Sequence, residues 1–191
     1  MTFRLIECAP AEGHYWVSSY DAVKGVDSGY SKGAPLRIRG AAAELKLSTE
    51  SSIETDLLSG VFSYPVVSER LRSTISRYEP ENCQFFPVRV VKGDGSPTET
   101  PYYFMNVLDN RACFDWGAST YEEGRNRKMP LDVTRLVVLE SEIEDRHLVR
   151  IREIPSLMLV SKALQSEIES SNMLGVQFLP VSDYDEFTYL S

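Results

Sequence analysis

Val67-Ser68-Glu69-Arg70-Leu71-Arg72-Ser73-Thr74-Ile75 returns 93 positions later as Val160-Ser161-Lys162-Ala163-Leu164-Gln165-Ser166-Glu167-Ile168. The same offset relates Gln84-Phe85-Phe86-Pro87-Val88 to Gln177-Phe178-Leu179-Pro180-Val181. Nine residues are identical over the 22 positions from 67 to 88, where ordinary residue frequencies give roughly one or two by chance. The chain contains a degenerate internal duplication.

Each copy reads as strand, helix, strand. Val66-Val67 and Leu157-Met158-Leu159-Val160 are short apolar runs, and each leads into a serine suited to N-cap a helix. Leu71 and Ile75, like Leu164 and Ile168, are four apart and share a helix face, while Glu69, Arg70, Arg72, Lys162, Gln165 and Glu169 fill the other. Glu79-Pro80-Glu81-Asn82 and Asn172-Met173-Leu174-Gly175 carry the residues that end helices, and extended structure resumes over 84–91 and 176–181.

Between the copies, residues 102–108, 111–116, 133–140 and 147–152 are rich in aromatic and β-branched side chains and read as strands. Gly93-Asp94-Gly95-Ser96 and Asp109-Asn110 have hairpin-turn chemistry, so this middle section is expected to be largely antiparallel. Residues 121–130 read as a charged surface loop. Toward the N-terminus, Leu36-Arg37-Ile38-Arg39 resembles a strand, Ala41 to Leu45 fits either regular state, and 48–59 is polar. The expected class is α+β, a mostly antiparallel sheet with two related strand-helix-strand units at about 65–91 and 157–181.

The 191 residues, 42% hydrophobic and 25% charged, suit a folded chain with a core of its own. No basic stretch followed by an apolar core opens the sequence and no run approaches 18 apolar residues, so neither export nor a membrane span is expected and the cytoplasm is the expected location. Cys8, Cys83 and Cys113 lie far apart without Cys-x-x-Cys spacing, as buried thiols of a reducing compartment would. The formal charge of -8 argues against nucleic acid as a partner, since phosphate binding needs concentrated positive charge. Residues 131–191 hold 5 basic and 11 acidic side chains and so carry most of that excess.

Local patterns for chemistry are missing. His14 and His147 stand in no metal-binding spacing, and neither a phosphate-cradling glycine loop nor a Gly-x-Ser-x-Gly elbow occurs. Pairs such as Asp109 with Asp115, or Glu122 with Glu123, are what 28 acidic residues produce without design. No catalytic residue, metal or cofactor is therefore expected. Two acidic stretches read as partner surface: Glu140, Glu142, Glu144 and Asp145, and the tail with Asp183, Tyr184, Asp185, Glu186, Phe187 and Tyr189. Aromatic residues anchor interfaces, and acidic neighbours steer a basic partner.

The Val160-Ser161-x-x-Leu164 helix with Gly175-x-x-Phe178-x-Pro180, together with Tyr103-Phe104-Met105-Asn106, Asp115 and Ser119, resembles a family of bacterial polymorphic-toxin immunity proteins, the eleventh in its numbered series and formerly a domain of unknown function. The resemblance spans about 62–181. It implies an immunity-like domain over 61–191, with 1–60 unassigned and the whole forming one compact unit. It also implies that the chain binds and neutralises a cognate toxin in the cytosol, without catalysis. Asp115 and Ser119 match family positions and read as structural. A non-catalytic adaptor or chaperone for a secreted effector would need the same sequence features. An enzyme would need a site assembled in space from Cys83, Cys113, His147 or the carboxylates.

Overall fold

The computed structural model describes residues 3–21, 33–39, 43–60, 64–124 and 129–185. The first copy of the duplication is β5 (Val66–Ser68), α1 (Glu69–Tyr78) and β6 (Cys83–Val91); the second is β12 (Met158–Ser161), α2 (Lys162–Ser170) and β13 (Val176–Pro180). Both serines are the N-caps that the repeat implies: Ser68 Oγ accepts from Leu71 N at 3.2 Å, and Ser161 Oγ from Leu164 N at 3.4 Å. Each capping hydroxyl has one further partner, in equivalent places. Ser68 Oγ donates to the Asp56 carboxylate at 2.6 Å, and Ser161 Oγ lies 2.8 Å from His147 Nδ1. The serine backbone amides donate to the carbonyls of those same two residues, at 2.8 and 2.9 Å. Ser161→Ala is expected to lower stability by about 1 kcal/mol, as a lost N-cap does. Ser68→Ala should cost more, about 2 kcal/mol, because it also leaves a buried carboxylate oxygen short of a donor; urea unfolding of the two variants checks the order.

The duplication extends to the strand that completes each unit. β7 (Tyr102–Val107) lies between β5 and β6, antiparallel to both, so that Val67, Tyr103 and Pro87 form one cross-strand row. β1 (Phe3–Cys8) lies in the same way between β12 and β13, giving the row Val160, Arg4, Pro180. The register is thus identical in the two copies, although β7 directly follows its unit and β1 comes from the opposite end of the sequence.

Around these units stand β2 (Trp16–Tyr20), β3 (Glu44–Leu47), β4 (Ser59–Gly60), β8 (Asn110–Arg111), β9 (Thr120–Glu123), β10 (Pro130–Arg135) and β11 (Leu148–Ile151). Among the described residues these make a six-stranded sheet, β4-β2-β3-β6-β7-β5, a five-stranded sheet, β13-β1-β12-β11-β8, and the β9–β10 hairpin. The fold is α+β with largely antiparallel sheets. Residues 3–60 contribute strands to both large sheets.

Alternation along the strands sorts side chains into three cores. Leu71 and Ile75 of α1 and Leu164 and Ile168 of α2 share one core with Val67, Met105, Val107 and Val160, so each helix buries its apolar stripe against both units. Arg77–Glu167 at 2.7 Å and Arg70 Nη2 to Ser171 O at 2.8 Å close the helix pair. The opposite faces of the two sheets bury Val17, Leu45, Tyr102 and Phe104 in one core and Phe3, Leu5, Phe114 and Leu159 in the other.

Several expected elements differ in form. Leu36–Arg39 is not a strand. The side-chain amide of Gln84 accepts from Leu36 N at 2.8 Å and donates to Leu36 O at 3.3 Å, occupying the groups a neighbouring strand would use. Ala41 lies outside the described residues, and the strand begins at Glu44. Gly93 to Ser96 does turn the chain between β6 and β7, with Asp94 accepting the Ser96 amide at 2.9 Å. Asp109-Asn110 makes no hairpin: Asn82 Oδ1 takes the Asp109 amide at 2.7 Å, and the chain runs on into β8, which pairs parallel with β11. The expected loop over 121–130 is instead largely the β9–β10 hairpin, with 125–128 outside the described residues. Regular strand in 111–116 and 133–140 is confined to Arg111 and to residues up to Arg135, with a Phe114–Val138 bridge between them and a 3-10 turn at 140–142.

Candidate partner-binding surface

The acidic segment 140–145 is held from below. Ile143 is fully buried in the core that contains Phe114 and Leu159, and this fixes the 3-10 turn with Glu142 and Glu144 exposed. Asp145 is already paired, 3.2 Å from Arg111, and Arg111 also donates to the Glu142 carbonyl at 3.2 Å and grips Asp109 with two hydrogen bonds at 2.5 and 2.9 Å. That bidentate carboxylate raises the Arg111 pKa above its ordinary value. Arg146 continues the network to Asp109 at 2.8 Å and Glu79 at 3.6 Å. Part of the acidity seen in the sequence is therefore internally balanced.

In the tail, Asp183 is exposed and its carboxylate accepts the Ser182 hydroxyl at 2.9 Å. Asp185 is half-buried. Tyr184 is only 4% exposed and packs into the same core as Ile143, so this ring holds the tail to the fold and is not presented to a partner. Glu186, Phe187 and Tyr189 lie outside the described residues. The two acidic stretches, 38 residues apart at Asp145 and Asp183, thus rest on one core.

That core has an aromatic rim which the sequence reading passed over. Phe114, Trp116 and Tyr121 form a triangle of edge-to-face contacts with centroids 4.8, 5.3 and 5.4 Å apart. Phe114 is buried, whereas Trp116 remains 38% exposed. Asp115 and Ser119 build the turn that carries it: Asp115 Oδ1 accepts from Gly117 N and Ala118 N at 2.9 and 3.0 Å, and Ser119 Oγ exchanges hydrogen bonds with Val137 N and O at 3.0 and 3.2 Å. These hydrogen bonds give both residues a structural role in the turn. The visible signal for Trp116 was a tryptophan inside an Asp-Trp-Gly turn, where burial is not the default.

Neither Cys83 nor Cys113 has the surroundings of an activated nucleophile. Burial pushes the Cys83 and Cys113 thiols up to about 12, with Glu79 and Glu153 respectively raising them further, the reverse of what makes a nucleophilic cysteine. The His147 ring is engaged by the Ser161 cap and packs edge-on against Tyr78 at 5.1 Å. Among the described residues no three His, Cys, Asp or Glu side chains are grouped as metal ligands, and no helix is long and apolar enough to cross a membrane.

An α+β scaffold that offers exposed carboxylates and a half-exposed tryptophan from one buried core has the makings of a protein-binding module, and the chain matches over residues 10–183 the model of a family of immunity proteins. It belongs to that family, the Imm11 immunity protein family. The match begins well before residue 62, so it takes in β2, β3 and β4, which carry no motif of the resemblance. Comparison with curated proteins finds no match.

Proposed function

We propose that this chain binds a cognate toxin in the bacterial cytosol and holds it inactive by occupancy, without turnover. The observation that carries the reading is the immunity-family match over nearly the whole chain. Two features support it: the deactivated thiols, and the exposed acidic side chains Glu142, Glu144 and Asp183 around one core, which suit a basic partner.

The reading predicts a neighbouring gene for a secreted protein with a toxic C-terminal domain, and the test uses that domain. Co-expression should protect a host from that domain, and residual toxicity in vitro should fall linearly to zero at one equivalent. Inactivation by a small fraction of an equivalent would replace binding with catalysis, and absence of protection would remove the immunity reading. Raising ionic strength from about 0.05 to about 0.5 M, which shrinks the Debye length from above roughly 10 Å to below roughly 5 Å, should slow association several-fold and leave dissociation nearly unchanged.

A further inference from the structure

Eight large apolar side chains stand exposed among the described residues, and four of them, Trp116, Met129, Leu131 and Leu139, fall between β8 and β11. Three others, Trp16, Tyr20 and Ile53, lie on or beside β2. The two regions differ in charge. Beside β2, Glu44 and Arg89 neutralise each other across neighbouring strands at 3.1 Å, and exposed Lys46 stands among exposed Glu12, Asp21 and Glu50, so the charge there is mixed. Residues 112–145 hold eight acidic and four basic side chains, and Glu142 and Glu144 are exposed.

The segment between β8 and β11 is also firmly mounted. Phe114, Val133 and Ile143 plug it into the core below, Asp115 and Ser119 lock the turn under Trp116, and Leu139 N donates to Cys113 O at 2.8 Å to keep the two flanking segments side by side. A tryptophan whose ring is already held by two aromatic neighbours gives up little freedom on binding, which is what an interface anchor requires.

We infer that the described residues 112–124 and 129–145 form the toxin-recognition surface, with Trp116 seated in an apolar pocket of a folded toxin domain and Glu142 and Glu144 against basic residues at that pocket's rim. This inference rests on the immunity reading above. The occupant is a basic protein face because the surface joins exposed apolar side chains to a net acidic surround.

The experiment measures binding kinetics of the same purified toxin domain to wild type, Trp116→Ala, Leu131→Glu, the pair Glu142→Gln with Glu144→Gln, and the counter-surface pair Trp16→Ala with Tyr20→Ala. Thermal melts accompany each, and hydrogen exchange of the wild-type complex gives a footprint that needs no variant. Expected are dissociation at least about tenfold faster for Trp116→Ala, the scale of an anchor loss, weaker binding for Leu131→Glu, several-fold slower and less salt-dependent association for the glutamine pair, and exchange protection within 112–145. The β2 pair should bind like wild type. If wild type binds but protection lies elsewhere and the Trp116, Leu131 and Glu142/Glu144 variants bind unchanged, the inference is overturned and the immunity reading stands. If wild type does not bind, the immunity reading itself fails.

Discussion

Glu79→Ala is expected to lower the unfolding free energy by about 2–6 kcal/mol, the cost of uncovering two buried backbone amides. Glu79 caps the end of α1 and is 4% exposed. Its Oε1 accepts two backbone amides of the other sheet's segment, His147 N at 2.5 Å and Leu148 N at 3.1 Å, while Oε2 faces Arg146 at 3.6 Å. Alanine would leave both amides without an acceptor, at roughly 1–3 kcal/mol each. Because Arg146 is 40% exposed, its pairing adds little after solvent screening. Glu79→Gln keeps a carbonyl acceptor and should therefore cost clearly less. Equal losses in the two variants, read from urea unfolding, would mean that the charge matters and the amide contacts do not.

Gly175→Ala should be nearly as damaging, at about 2–4 kcal/mol, from left-handed strain of about 1–2 kcal/mol plus displaced neighbours. Gly175 has φ +75°, and a Cβ there would come within 2.7 Å of both the Leu57 carbonyl oxygen and Thr55 Cβ. The close approach follows from Asp56, whose amide donates to Leu174 O at 2.7 Å and whose Oδ2 accepts from Leu174 N at 3.0 Å. Gly95 supplies the control, since at φ +86° it has nothing within 4 Å of a built Cβ. Gly95→Ala should cost only the backbone strain. The difference between the two melting temperatures then isolates the contact with 55–57, and no difference would show that this loop yields freely.

What could be read in the sequence was what leaves a local trace. A capping serine, apolar residues four apart and a repeated Gln-Phe-x-Pro-Val were enough for both units, down to the caps. β1 left no such trace: Phe3, Leu5 and Ile6 are buried on both faces of a sheet, so no alternation marks them, and the partners lie far along the chain. Leu36 and Ile38 do alternate with arginines and face a core, yet Gln84 takes the backbone groups of Leu36, and no periodicity reveals a side chain doing a strand's work. For the candidate surface, composition located the carboxylates but not their pairing with Arg111. It also could not tell that Tyr184 points inward while Trp116 points out. Ring direction is set by packing between segments distant in sequence, and that information exists only in three dimensions.

The position of β1 between β12 and β13 sets an order of events during synthesis. The first unit has all its strands once Val107 has left the ribosome, whereas Leu5 pairs with Leu159, about 150 residues later. At roughly 5–20 residues per second, the apolar side chains of β1 wait on the order of 10–30 s for their partners. Phe114, Val133 and Ile143 wait with them, since their core includes Phe3, Leu5, Leu157 and Leu159. The acidic, tryptophan-bearing face is therefore completed late, and a nascent chain has no finished face there until β12 has emerged and closed over β1.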